Sequence, residues 1–182
     1  KTSIERSFIN PFETYFNNVL NTLVALQLAY KSKATLVIIS SYVYGKPEKM
    51  PINEQHPTKT TNPYMSSKLI SDKISYEISK SLKIKTIILR PFNIYGPGLK
   101  HGMLISDLIN QGLKKKNLIL KDPKSSRDYV YIKDFNFLIH KILKKKVEKN
   151  NIYNIGSGKS YSNLYIAKEI SKYFKKSKLV IL

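Results

Sequence analysis

TLVIIS, residues 35–40, is a short, nearly continuous apolar run rich in β-branched residues, and KTIILR, residues 85–90, is a second. Strands buried on both faces of a parallel sheet read this way. Between them, residues 64–82 place Leu69, Ile70, Ile74 and Ile78 on one side of a helix. The polar stretch from Gly45 to Pro63 holds four prolines and no period, which predicts a loop. Upstream, residues 11–31 set Phe16, Val19, Leu20, Leu23 and Leu26 at helical spacing, with Pro11 suited to the first turn. Strand, helix, strand in this order predicts right-handed crossovers in a parallel sheet. The fold class is therefore α/β, part of a doubly wound parallel sheet.

Downstream the elements are shorter. Pro91–Gly98, with two prolines and two glycines, predicts a structured loop. Helices are expected over 103–114, 133–146 and 162–175, and strands over 117–120, 127–132, 151–155 and 178–182. Residues 1–100 are assigned to the large sheet domain. Residues 101–182 are assigned mainly to a smaller α/β lobe, with 127–155 partly returning to the first domain.

Composition removes several functions. Apolar residues make up 42% and charged residues 24%, an ordinary globular balance. Cysteine is absent, which excludes thiol nucleophiles, thiolate metal sites and disulfides within the chain. His56, His101 and His140 share no metal-ligand spacing, so no metal site is expected. No apolar run is long enough to cross a membrane and residues 1–10 hold no signal-type apolar core, so a cytoplasmic location is the expectation. The net charge of +20 suggests nucleic acid, but 29 of the 32 basic residues are lysine and they are dispersed. With 14 Asn and 23 Ile beside them, they read as a compositional bias and a solvated surface, not a nucleic-acid site.

Tyr64 and Lys68, in NPYMSSK, form the candidate catalytic pair. On a helix they share a face, and an ammonium near a phenol favours the phenolate. A tyrosine so activated serves as general acid or base. The spacing alone is weak: chance supplies about two Tyr-x-x-x-Lys matches in a chain with 13 Tyr, and four occur, at Tyr42/Lys46, Tyr64/Lys68, Tyr76/Lys80 and Tyr129/Lys133. Position separates them. Tyr64 opens a helix that follows a strand ending in Ser40-Ser41, and ligands of open parallel sheets bind beyond the carboxyl ends of the strands. Tyr76 lies roughly 18 Å further along that helix.

Six segments in order, FNNVLNT (16–22), VIISSYVYG (37–45), NPYMSSK (62–68), LRPFNIYGPG (89–98), SRDYVYIKD (126–134) and YNIGSG (153–158), carry a resemblance. The chain resembles the extended short-chain dehydrogenase/reductase family, in its NAD-dependent nucleotide-sugar epimerase/dehydratase branch. The resemblance implies a Rossmann-type dinucleotide domain, of which residues 1–100 are the C-terminal part, and a substrate-binding lobe. It implies NAD, with NADP an alternative, a nucleotide-sugar substrate, and a homodimer built on a helix bundle that includes the Tyr64 helix. Family members open on a strand, a glycine-rich turn and a helix that hold the dinucleotide pyrophosphate. No such turn occurs in these residues, so that unit is expected before Lys1 and a shorter piece after Leu182. The 182 residues alone are accordingly expected to bind no dinucleotide, to catalyse nothing and to expose apolar edges. Titration calorimetry with NAD and NADP, together with a thermal melt, tests this; micromolar binding with a cooperative melt would overturn it.

By resemblance, Tyr64 is the catalytic acid/base and Lys68 its partner, which also bonds the nicotinamide ribose. The catalytic hydroxyl is Ser41 counting from the strand, or Ser40 counting back from Tyr44-Gly45, because Ser-Ser-Tyr-Val-Tyr-Gly is one residue short of the common pattern. Strand facing favours Ser41. Ser40, Tyr64, Lys68, Pro91 and Phe92 correspond to cofactor contacts, and Asn18, Asn93 and Arg127 to substrate contacts. Plain alternatives are a helix-surface Asn18, a proline turn at 91–98, and an Arg127–Asp128 surface pair. Asp134 is read as a helix cap, and Gly156 and Gly158 as turn residues.

The reaction implied is epimerisation through a transient keto-sugar, with Tyr64 taking and returning the hydroxyl proton. A dehydratase needs an acid and a base after the catalytic hydroxyl, where this chain has Tyr42 and Val43. A keto-sugar reductase, a dehydratase and a non-catalytic dinucleotide-binding homologue remain the alternatives.

Overall fold

The computed structural model describes residues 3–145 and 150–182. The chain divides into two compact units, Lys1–Pro91 with Lys141–Ile155, and Phe92–His140 with Gly156–Leu182.

The first unit holds α1 (Ile4–Ile9), α2 (Pro11–Ser32), β1 (Leu36–Ile39), α3 (Pro63–Ser81) and β2 (Thr86–Pro91). β1 and β2 pair in parallel, as expected, with Leu36 opposite Thr86 and Ile39 opposite Leu89. β2 pairs in parallel on its other side with a strand at Asn151–Ile155. All six residues of the central strand β2 are buried. Among the described strands β1 pairs with β2 alone and is half-buried, with Ile39 49% exposed, in keeping with the open apolar edges expected of these residues alone. Leu26, Ala29 and Ile84 form the core beneath, with Leu36, Ile74 and Ile78 against them.

The helix starts follow from their caps. Asn10 accepts a bond from the Glu13 amide before Pro11, and Asn62 accepts one from the Met65 amide at 2.8 Å before Pro63. The second cap sets Tyr64 in the first turn of α3. The face of α3 that is most deeply buried is not the Leu/Ile stripe but Ser67, Ser71, Asp72, Ser75 and Ser79. Small side chains let neighbouring elements approach closely. Ser71 and Ser75 return their hydroxyls to the carbonyls of Ser67 and Ser71. On α2 the expected apolar face is likewise largely open: Leu26 is buried, whereas Phe16 is 67% exposed. α1 was not anticipated.

The second unit contains β3 (Asn93–Tyr95), α4 (Leu104–Leu113), β4 (Leu118–Leu120), β5 (Ser126–Tyr131), most of α5 (Ile132–Lys144), β7 (Ser160–Ser162), α6 (Asn163–Ser171) and β8 (Leu179–Ile181); β6 is the Asn151–Ile155 strand of the first unit. β3 runs parallel to β5, β5 antiparallel to β7, and β4 parallel to β8. Leu108, Leu118, Leu120 and Ala167 form this unit's core. Residues 91–98 are therefore not all loop, since Pro91 ends β2 and Asn93–Tyr95 is a strand. α6 stops at Ser171 instead of 175, and β7 is new. α5 begins at Ile132, so Asp134 lies inside its first turn and is not the cap, although its charge still suits the helix N-terminus. The expected end of that helix at 146 falls outside the described residues.

Candidate active site

β1 ends at Ile39, and the chain enters the irregular stretch 40–62 through Ser40 and Ser41 before α3 begins. The Ser40 amide still bonds the Leu89 carbonyl at 2.7 Å, which prolongs the strand pairing by one residue. The next side chain, Ser41, is thereby aimed at the α3 N-terminus. The Ser41 hydroxyl lies beside the Tyr64 oxygen and acts on it as a hydrogen-bonding group. Burial holds the Tyr64 phenol above its ordinary value, and the Ser41 bond pulls the other way. Desolvation is the larger of these two influences. Lys68 donates from Nζ to the Ile39 carbonyl at 2.7 Å. Burial lowers its pKa and the charge of Asp72 raises it. One N–H of the ammonium is thus engaged, while the other two are chemically able to meet hydroxyl oxygens.

Ser40 has a different setting. It is 4% exposed, and its hydroxyl helps to stabilise the Asp72 carboxylate. Neither Ser40 Oγ nor Asp72 Oδ1 makes a hydrogen bond of good geometry, so the help is a weak, misaligned one. Asn18 is buried, not on the helix surface, and its Nδ2 donates to Ser67 Oγ at 2.8 Å, tying α2 to α3 directly behind Tyr64. Tyr42 donates to the Gly45 carbonyl at 2.6 Å and Val43 is fully buried. Gly45 has φ +66, and a Cβ there would meet the Lys59 carbonyl at 2.5 Å, so the turn after Tyr44 requires glycine.

A buried network lies beneath this centre. Arg90 donates through Nε to Asp72 Oδ2 at 3.0 Å and through Nη1 to the Tyr44 hydroxyl at 3.0 Å. Tyr44 donates to Asn154 Oδ1 at 2.6 Å, and Asn154 donates to the Ile52 carbonyl. The His56 ring packs edge-on against Tyr44, and its Nε2 accepts from the Glu48 amide at 3.1 Å. Together these bonds pin the stretch 40–62 onto the sheet. The sequence reading missed Asp72, Tyr44 and Asn154. One signal was available: Asp72 follows Lys68 by one helical repeat, and Arg90 is one of three arginines.

The remaining candidates lie in the second unit, save Pro91, which is buried at the end of β2. Asn93 donates to the Asp128 carbonyl at 3.0 Å. Arg127 is exposed and donates to the Ser126 carbonyl. Asp128 does not pair with it. Instead its carboxylate accepts from the Ser157 and Gly158 amides at 2.8 and 2.9 Å, closing the turn that Gly156 and Gly158 shape. A Cβ on Gly156 would stand 2.7 Å from Asp128 Oδ2 and 3.1 Å from the Phe92 ring. Tyr95, Tyr129, Tyr131 and Tyr161, with Ile105 and Ile109, line a cavity of about 620 Å³ in this unit. Sequence reading did not foresee it, because the four tyrosines come from three strands.

The profile of the NAD dependent epimerase/dehydratase family matches residues 1–156. The chain belongs to this family. Among relatives of this epimerase/dehydratase segment, a dTDP-D-glucose 4,6-dehydratase of Dictyostelium discoideum is 33% identical over 93% of the chain and 42% of its own length. A UDP-glucose 4-epimerase of Mycoplasma genitalium is 30% identical over 98% of the chain and 60% of its own length. The solved dTDP-glucose 4,6-dehydratase of Bacillus anthracis, in complex with NAD, superposes with a TM-score of 0.82 at 28% identity, covering 92% of the chain and 56% of that structure. The chain therefore spans about half the length of the relatives it matches. The epimerase/dehydratase fold is that of an extended short-chain dehydrogenase/reductase. Among its described residues no helix is long and apolar enough to cross a membrane.

Proposed function

We propose that the intact protein is a nucleotide-sugar epimerase that oxidises a sugar hydroxyl transiently and reduces the keto-sugar from its other face. The observation that carries this reading is the juxtaposition of Ser41 and Tyr64 at the carboxyl end of β1, with Lys68 one helical repeat beyond and bonded to the Ile39 carbonyl. NAD, when bound, supplies a hydride acceptor in one direction and a donor in the other. The donor set fits it: Lys68 has two N–H groups for a ribose diol, and Pro91 brings β2 to its end beside the edge where such ligands bind.

Tyr64 moves the proton. As phenol it hands a proton to a carbonyl oxygen; as phenolate it takes one from a hydroxyl. Ser41 hydrogen-bonds the reacting oxygen as its charge changes. Val43 is fully buried and the Tyr42 hydroxyl is engaged with Gly45, so neither offers the acid and base that water elimination needs. In the second unit the tyrosine-lined cavity suits a flat nucleoside ring, with Asn93 and Arg127 as polar contacts to the diphosphate. The open faces of α2 and α3, from Phe12 (86% exposed) and Phe16 to Ile70, favour a homodimer.

The test is conversion of UDP-glucose to UDP-galactose, and of the arabinose/xylose pair, with no net change in dinucleotide absorbance. Stoichiometric oxidation of NAD(P)H with a keto-sugar, or formation of a 4-keto-6-deoxy product, would replace this reading by a reductase or a dehydratase. Ser41→Ala is expected to lower the rate about 10²–10³-fold. It should also move the acid limb of the oxidation half-reaction to higher pH, because the Ser41 bond lowers the Tyr64 value. Ser40→Ala should leave that limb in place. Rate–pH profiles decide, and the reverse order would assign the role to Ser40.

A further inference from the structure

Asp72 is 1% exposed and stands four residues after Lys68, on the same face of α3. A carboxylate so buried is stable only with a counter-charge. Arg90, from the adjacent strand β2 and itself 5% exposed, provides one at Oδ2. Its position is fixed in turn by Tyr44 and, through Tyr44, by Asn154 on β6. The second oxygen, Oδ1, has no hydrogen-bond partner. Lys68, one helical repeat back on the same face, is within reach of this charge. We propose that Asp72 is a positioning residue of the Tyr64–Lys68 centre: clamped by Arg90, its carboxylate is the counter-charge that holds the Lys68 ammonium in place beside Tyr64. This rests on the functional reading above only for its consequence in turnover.

Among the described residues, the charged and titratable groups around Lys68 are few. Tyr64 and Asp72 flank it on α3, the hydroxyls of Ser40 and Ser41 come from the stretch after β1, and Arg90 reaches Asp72 from β2. Of these, Asp72 supplies the charge that acts on Lys68 against its burial. The ammonium can then keep its bond to the Ile39 carbonyl and offer its other protons outward. Without Asp72 it becomes a buried cation beside the buried Arg90.

The experiment measures Lys68 directly. The intact protein is labelled with trace acetic anhydride across pH, and acetylation of Lys68 is read by peptide mass spectrometry. In Asp72→Asn the labelling midpoint is expected about one pH unit lower than in wild type. The alkaline limb of kcat should fall by the same amount, with KM little changed. Asp72→Asn/Arg90→Gln removes both partners of the buried ion pair together and serves if the single variant does not fold; it should show the same lowered midpoint. An unchanged midpoint in either folded variant would overturn the proposal. The labelling reads Lys68 whether or not a nucleotide sugar turns over. Loss of activity on nucleotide sugars in wild type would therefore count against the epimerase reading and not against the role of Asp72.

Discussion

Tyr64→Phe in the intact protein is expected to reduce turnover by at least about 10³-fold while nucleotide-sugar affinity stays close to wild type. The substitution removes one oxygen and leaves the ring. Tyr64 sits in the first turn of α3, which is fixed by the Asn62 cap and Pro63, neither of which touches the hydroxyl. What is lost is the proton-transfer atom and the acceptor of the Ser41 bond. Ground-state binding relies on other groups, so the effect falls on kcat. Steady-state kinetics with a separate binding titration measures both quantities. Turnover within tenfold of wild type would remove Tyr64 from the chemistry. Tyr76→Phe on the same helix is the control: that side chain is 42% exposed, and the change should be close to neutral.

The sheet was legible because β1 and β2 are apolar runs of strand length flanked by long helical periods, and nothing else in an α/β chain produces that alternation. The centre was legible for the same reason. A Ser-Ser at the end of one predicted strand and a Tyr at the start of the next predicted helix must converge if the sheet is parallel. Apolarity does not track burial within this chain. Phe16, Leu20 and Leu23 have helical spacing yet are exposed, while α3 buries serines. Serine reads as surface in a pattern search, and only the close packing around Ser67, Ser71 and Ser75 reveals its use. Spacing gives a neighbouring ammonium but not the desolvation that acts on Tyr64, nor that Lys68 Nζ turns to the Ile39 carbonyl. The Asp72–Arg90–Tyr44–Asn154 chain links four separated segments, and no local signal joins them.

That chain makes Arg90→Met the substitution with the largest expected cost to folding. Removing the guanidinium leaves Asp72 as a carboxylate at 1% exposure with neither oxygen in a good hydrogen bond. Breaking a buried ion pair from one side costs about 3–5 kcal/mol, whereas replacing both partners by apolar groups is often nearly neutral. Arg90→Met should therefore lower unfolding stability of the intact protein by about that amount, and Arg90→Met/Asp72→Leu should recover most of it. The pH dependence has a definite sign. Burial already holds the Asp72 carboxyl above its ordinary value, against the opposing pull of Ser40 and Arg90. Without Arg90 the folded-state value rises further. A group bound more tightly by protons in the folded state favours folding below its unfolded value, and that contribution is lost as pH rises through the folded one. The penalty of Arg90→Met should accordingly be full near neutral pH and shrink as the solution is acidified and Asp72 takes up its proton. Denaturant melts of the wild type and the two variants at several pH values measure this. A penalty below about 1 kcal/mol at neutral pH, or one that grows on acidification, would mean that the Asp72–Arg90 pair does not bear the charge balance of this core.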